Sequence, residues 1–173
     1  MKKKLFLFMN ATAMLFASCG QEKKFDKNLQ EAYKELQLTF YASTLSCDQI
    51  SKAWYDAIYD KKTPSGKYCS DFNDALQEQM ELLRKAGIND TIFKHKSKME
   101  DATSRLNNPP ASRKDCYNEF VEIVGETSSF SRMATDPSGN LRSYSENKHS
   151  TFERISKMLE QFKIKYSQFL ENN

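Results

Sequence analysis

From Phe25 onward the chain places apolar residues in steps of three and four. The first stripe is Phe25, Leu29, Ala32, Leu36, Phe40, Ser43, Cys47, Ile50, Trp54 and Ala57, the period of an α-helix that buries one face. It predicts a helix running to about Lys61, roughly 55 Å long at 1.5 Å per residue. Thr63-Pro64-Ser65-Gly66 stops it. A second stripe, Phe72, Leu76, Met80 and Leu83, predicts a helix starting near Cys69 or Ser70. Gly87-Ile88-Asn89-Asp90 interrupts that helix, as either a kink or a full turn. The stripe then resumes as Ile92, His95, Met99, Ala102 and Leu106 and ends at Asn107-Asn108-Pro109-Pro110.

Ser112-Arg113-Lys114-Asp115 reads as a variant capping box, with Asp where Glu or Gln is preferred. It opens a third helix with Cys116, Phe120, Ile123, Thr127, Phe130 and Ala134 on one face. After the turn Asp136-Pro137-Ser138-Gly139-Asn140, a fourth carries Leu141, Tyr144, Lys148, Phe152, Ile155, Leu159, Phe162, Tyr166 and Phe169. Period-two alternation is missing throughout, which argues against strands. The expected fold is therefore all-α, an antiparallel bundle of four main helices, or five if the second is broken. Pro64-Ser65-Gly66-Lys67-Tyr68-Cys69-Ser70 and Pro137-Ser138-Gly139-Asn140-Leu141-Arg142-Ser143 share Pro-Ser-Gly-x-apolar-x-Ser. In each, Pro can open a turn, Gly can take positive φ and Ser can cap the next helix. Two related hairpins packed together would account for that likeness; so would convergence of two helix-to-helix turns.

The segment before the first stripe has a different character. Lys2, Lys3 and Lys4 precede thirteen residues, Leu5 to Ala17, that are apolar apart from Asn10 and Thr12. That is the layout of a secretory signal, and the run is shorter than the roughly 20 residues a spanning helix needs. It ends in Leu15-Phe16-Ala17-Ser18-Cys19-Gly20, which resembles the lipobox of bacterial lipoproteins, although Phe16 stands where that family prefers Leu. The resemblance covers only these first twenty or so residues. It implies cleavage before Cys19, a diacylglycerol on its thiol and acylation of the new amino group. The implied organisation is a signal at 1–18, a polar tether at 19–24 and a bundle domain at 25–173. The implied address is the cell envelope, lipid-anchored to a bacterial membrane, with the outer membrane favoured. Several acyl chains hold durably, because each buried CH₂ adds about 0.8 kcal/mol.

Removing the signal changes the charge picture. The chain has 26 basic and 23 acidic residues, and the three n-region lysines account for the whole excess. The remainder is balanced and offers no basic stripe of the kind nucleic acid selects. A domain of this size can bury a real core, and few Gly and Pro among many Lys, Glu, Leu and Ala suit helices.

Three cysteines follow Cys19: Cys47, Cys69 and Cys116. An odd number in an exported protein allows at most one internal disulfide. Cys47 and Cys116 lie 17 and 21 residues before their respective prolines. If both Pro-Ser-Gly turns sit at one end of the bundle, these two share a level and can pair, leaving Cys69 free. No metal site or cofactor is expected. There is no CxxC or CxxCH, only two histidines exist, and Glu146-Asn147-Lys148-His149, the one Glu-x-x-His, falls off the apolar stripe. His95 and Met99 sit one turn apart on a stripe, a spacing that also suits an ordinary buried histidine. Hydrolytic signatures such as GxSxG and HExxH are lacking, and the Ser-x-x-Lys at Ser145 has no companion motifs. No catalytic residue is assigned, and the chain is expected not to be an enzyme.

The aromatic residues are more suggestive. Trp54, Tyr55, Tyr59, Tyr68 and Tyr144 cluster near the Pro-Ser-Gly turns together with Arg142, and Trp, Tyr and Arg are the residues that anchor protein interfaces. Trp54 lies on the core stripe, while Tyr55 and Tyr59 are offset from it and expected at the surface. The reading is an envelope protein that works by binding another protein. The alternative is a carrier holding haem, a metal or an apolar molecule between its helices. Asp90-Thr91-Ile92 also resembles the Asp-Ser/Thr-apolar O-glycosylation signal of one group of envelope bacteria.

Overall fold

The computed structural model describes residues 2–171, with side chains from Gly20 to Glu171. The described residues form five α-helices: α1 (Lys2–Tyr55), α2 (Phe72–Lys85), α3 (Ile88–Ser104), α4 (Lys114–Thr135) and α5 (Leu141–Leu170). A π-helical turn at Asp56–Asp60 extends α1, and a 3-10 turn at Ala111–Arg113 leads into α4. No β-strand occurs among the described residues; one isolated bridge joins Lys62 and Tyr68. No described helix is long and apolar enough to cross a membrane.

Cross-chain partners fix the topology. Descending from the top of α1, Trp54 meets Phe72, Gln49 bonds Gln79, Glu35 bonds His95 and Glu31 pairs with Arg105. Both α2 and α3 therefore run antiparallel to α1, and the interruption at Gly87 is a kink, not a reversal. Gly87 permits it by taking φ +71, a conformation that costs glycine little. Helix α4 climbs again, from Arg113 beside Asp26 to Ala134 beside Ser46. Helix α5 descends, with Lys148 at Asp48, Phe152 at Phe40 and Phe162 at Tyr33. The result is an up-down-up-down bundle whose second member is broken, with α1 packed against all the others.

The stripes face inward largely as their spacing predicts. Every stripe residue of the first helix is buried except Phe40, which is half-buried, and the whole third stripe from Cys116 to Ala134 is buried. α2 differs: Ala75, Gln79 and Leu83 are its buried face, while Phe72 is exposed and Leu76 and Met80 are half-buried. Helix ends are satisfied across the bundle. Ser46 Oγ donates to the Ala134 carbonyl at 2.8 Å and Tyr144 OH to the Met133 carbonyl at 3.1 Å, partnering the open end of α4. Gln30 does the same for Phe169 at the end of α5.

Several local expectations are corrected. The 63–66 segment does stop the first helix, but α2 begins at Phe72 with Asp71 as its cap, because the chain first makes a small loop in which Thr63 N–H donates to the Lys67 carbonyl. α5 is capped by Asn140, with Ser143 completing a reciprocal capping box. In neither Pro-Ser-Gly segment is the shared Ser the cap. The two have in common a positive-φ glycine, Gly66 and Gly139, but the helix begins six residues after one and two after the other. Ser112 does not cap α4 either; its hydroxyl donates to Glu22 on α1.

Candidate functional site

Cys19 and the signal segment, as side chains, lie outside the described residues, so the lipid-attachment reading is carried by sequence alone. Cys47 and Cys116 are both buried and are not brought together. Cys47 follows Ser46, which is bonded to Ala134, and Ala134 lies eighteen residues beyond Cys116 on α4. At 1.5 Å per residue that is about 27 Å, far beyond the roughly 7 Å between Cα atoms that a disulfide tolerates. The expected pairing is corrected for a geometric reason. α1 and its π turn rise past the end of α4, so the two prolines do not mark one level. Burial pushes the Cys47 thiol up to about 11 and the Cys116 thiol up to about 12. Cys69 is buried as well, in a satellite cluster with Ala57 and Ala75.

The candidate ligands for metal or haem take ordinary roles. His95 Nδ1 lies 2.6 Å from Glu35 Oε2 in a largely buried pair that ties α3 to α1. Met99 is fully buried in the core. Glu146 binds Arg142, and His149 is exposed. Among the described residues no group of three His, Cys, Asp or Glu is placed to hold a metal ion. Thr91, of the glycosylation-like triplet, is exposed in the first turn of α3, its hydroxyl donating to the Gly87 carbonyl.

The aromatic cluster divides into a buried and an exposed part. Trp54 and Tyr144 are core residues, their rings 5.4 Å apart edge to face, with the Tyr144 hydroxyl spent on Met133. Burial raises the Tyr144 phenol well above its usual range. These two therefore leave the expected surface. Tyr55 and Tyr59 remain on it, 53% and 65% exposed with rings 4.6 Å apart. Tyr68 is 80% exposed but stands apart on the loop.

Tyr55, Tyr59 and Arg142 wall an open groove of about 750 Å³ between the top of α1 and the start of α5. The π turn that follows Tyr55 keeps Tyr59 directly above it, and the Asn140 capping box fixes where α5 begins. Ile58 and Leu141 give the groove an apolar floor. Its charges are paired along each wall: Lys52 with Asp56 at 2.5 Å on the α1 side and Arg142 with Glu146 at 2.9 Å on α5. The Ser51 and Ser145 hydroxyls and the Lys52 amine also line it. What it offers is aromatic and aliphatic area, which suits recognition by contact. Ile58 and Leu141 were not singled out from sequence, since either can as readily belong to the core stripes.

Comparison with known proteins brings no relative to bear: no family model, curated protein or solved structure matches the chain.

Proposed function

We propose that this chain is a lipid-anchored envelope protein that uses the upper end of its bundle to bind another protein, without catalysis. The observation that carries the reading is the aromatic groove of Tyr55, Tyr59 and Arg142 at the end of α1 opposite Gly20. Tyr55 lies thirty-five residues beyond Gly20 along the helix, about 52 Å at 1.5 Å per residue. A tail on Cys19 would hold one end at a bilayer and present the groove to whatever lies beyond it. Exposed aromatic rings beside an arginine, with their local charges already paired, are the composition of an interface core with a polar rim.

Two measurements test it. Mass analysis of the native protein should find residue 19 acylated, and Cys19→Ser should release the chain from membranes into the soluble fraction. Crosslinking through Tyr59 should yield a specific protein adduct from the intact envelope. An unmodified residue 19 with undiminished membrane attachment would sink the anchor. Adducts to nothing but small molecules would favour the carrier instead.

A further inference from the structure

Helix α1 carries a second seam, on the side turned away from the bundle. Leu38, Tyr41 and Leu45 continue through Asp48 and Lys52 to Tyr55 and Tyr59, at alternating spacings of three and four. All are exposed, Tyr41 by 65%. Below Leu38 the same face continues as Lys34, Glu31, Lys27 and Lys23, likewise exposed. The carboxylates nearest these lysines in sequence are all engaged: Glu22 and Asp26 by Arg113, Glu31 by Arg105 and Glu35 by His95. Asp48 and Lys52 are paired with Lys148 and Asp56. The outer face is thus basic over its lower part and apolar over its upper part.

We infer that this seam docks one amphipathic helix of a partner protein, apolar along the stretch that meets Leu38 to Tyr59 and acidic along the stretch that meets Lys23 to Lys34. The proposal rests on the protein-binding reading above and names the partner's chemistry. A heptad-spaced stripe flanked by polar residues is the surface a coiled-coil partner fits. Gln37 and Gln49, exposed and polar, are those flanks. A helix lying on a bilayer buries a wider apolar arc than this. A second copy of the chain fits less well. Parallel pairing in register sets lysine against lysine, and antiparallel pairing over the whole stripe sets lysines against tyrosines and leucines. An acidic helix supplies the missing charge and gives specificity through it.

The test uses the full chain in the cells that produce it. A photo-crosslinking amino acid replaces Tyr41, Tyr59 or, as a control on another face, the exposed Ile164. Mass spectrometry then identifies the crosslinked segment. The expected result is one partner segment reached from both Tyr41 and Tyr59, rich in Asp and Glu, with apolar residues at three- and four-residue spacing. Ile164 should not reach it. Lys23→Glu, Lys27→Glu and Lys34→Glu together should cut the yield at least tenfold while circular dichroism and the melting temperature stay unchanged. Crosslinks to a second copy, to lipid alone, to a segment without that pattern or to nothing overturn the inference. So does a yield indifferent to the lysine changes. A protein adduct from Tyr59 but not Tyr41 would retain the groove and reject the seam.

Discussion

The two ends of the bundle use the same residue types in opposite ways. At the lower end Tyr33, Phe120, Phe162 and Tyr166 pack ring against ring, with Phe162 touching the other three at centroid distances of 4.9 to 5.9 Å. Arg113 closes that end. Its guanidinium holds Asp26 through two hydrogen bonds and lies 3.8 Å from the centre of the Phe169 ring. At the upper end only Trp54 and Tyr144 turn inward, while Tyr55, Tyr59 and Tyr68 stand in solvent. Burying an aromatic ring removes up to 250 Å² from water. A chain that leaves these rings, and Phe72 beside Trp54, outside at one end gives up stability there and keeps surface for contact.

The sharpest way to break that contrast is Phe162→Ala. The side chain is fully buried among three rings, so its loss removes transfer energy and leaves a cavity, at a cost of about 3–5 kcal/mol. For a domain of this size the melting temperature should fall by roughly 10 °C. Thermal and urea denaturation measure it. A loss under about 1 kcal/mol would mean that the lower end is not where stability is concentrated.

Arg113→Met should follow at about 2–4 kcal/mol. The methionine keeps part of the stem's packing but leaves Asp26 partly buried without its partner, and removing one member of a shielded pair costs more than the pair contributes. Asp26 also holds the guanidinium's proton more tightly than usual. The double variant with Asp26→Leu should recover part of the loss. Two losses that simply add would show that the ion pair is not coupled.

Much of this architecture was legible from the spacing of apolar residues, because a bundle is held by continuous stripes and the stripes are local in sequence. Cys116, Phe120, Ile123, Thr127, Phe130 and Ala134 form a buried row as their period predicts. Capping was less legible. Ser70 and Ser112 have the right chemistry, but Asp71 and the contact to Glu22 win in three dimensions. The relative heights of the helices were not legible at all. Ser46 opposite Ala134 decides them, and that single register separates Cys47 from Cys116. Within the candidate site, the offset of Tyr55 and Tyr59 from the stripe was readable, and so was the place of Tyr144 on the stripe of α5, which its burial follows.

A smaller effect appears at alkaline pH. Cys47 lies in the upper half and Cys116 in the lower, and burial raises both thiols from an ordinary value of 9.0, to about 11 and about 12. Below pH 9 both states keep the proton and nothing changes. Above it the unfolded chain ionises while the folded one cannot, so stability falls as pH rises from 9 toward 11. Each thiol should account for on the order of 2 kcal/mol at the upper limit. Cys47→Ala and Cys116→Ala should each flatten the alkaline slope of the melting temperature. Equal slopes for both variants and the parent chain would contradict this.

The smallest effect on folding should accompany the largest on binding. Tyr59→Ala removes a ring that is mostly in water, and exposed substitutions of that kind stay within about 0.5 kcal/mol. Its melting curve should overlay the parent's. The same ring packs at a tilt against Tyr55 and walls the groove; if it anchors a partner, its truncation should weaken capture of that partner by tenfold or more, the scale of an interface hot spot. Tyr68→Ala, more exposed still and outside the groove, is the control and should leave both quantities alone. A Tyr59→Ala chain that melts early would place that tyrosine with the core, and the upper end would then differ from the lower in degree only. Equal loss of capture from both variants would instead spread the contact over the loop, away from the line of α1.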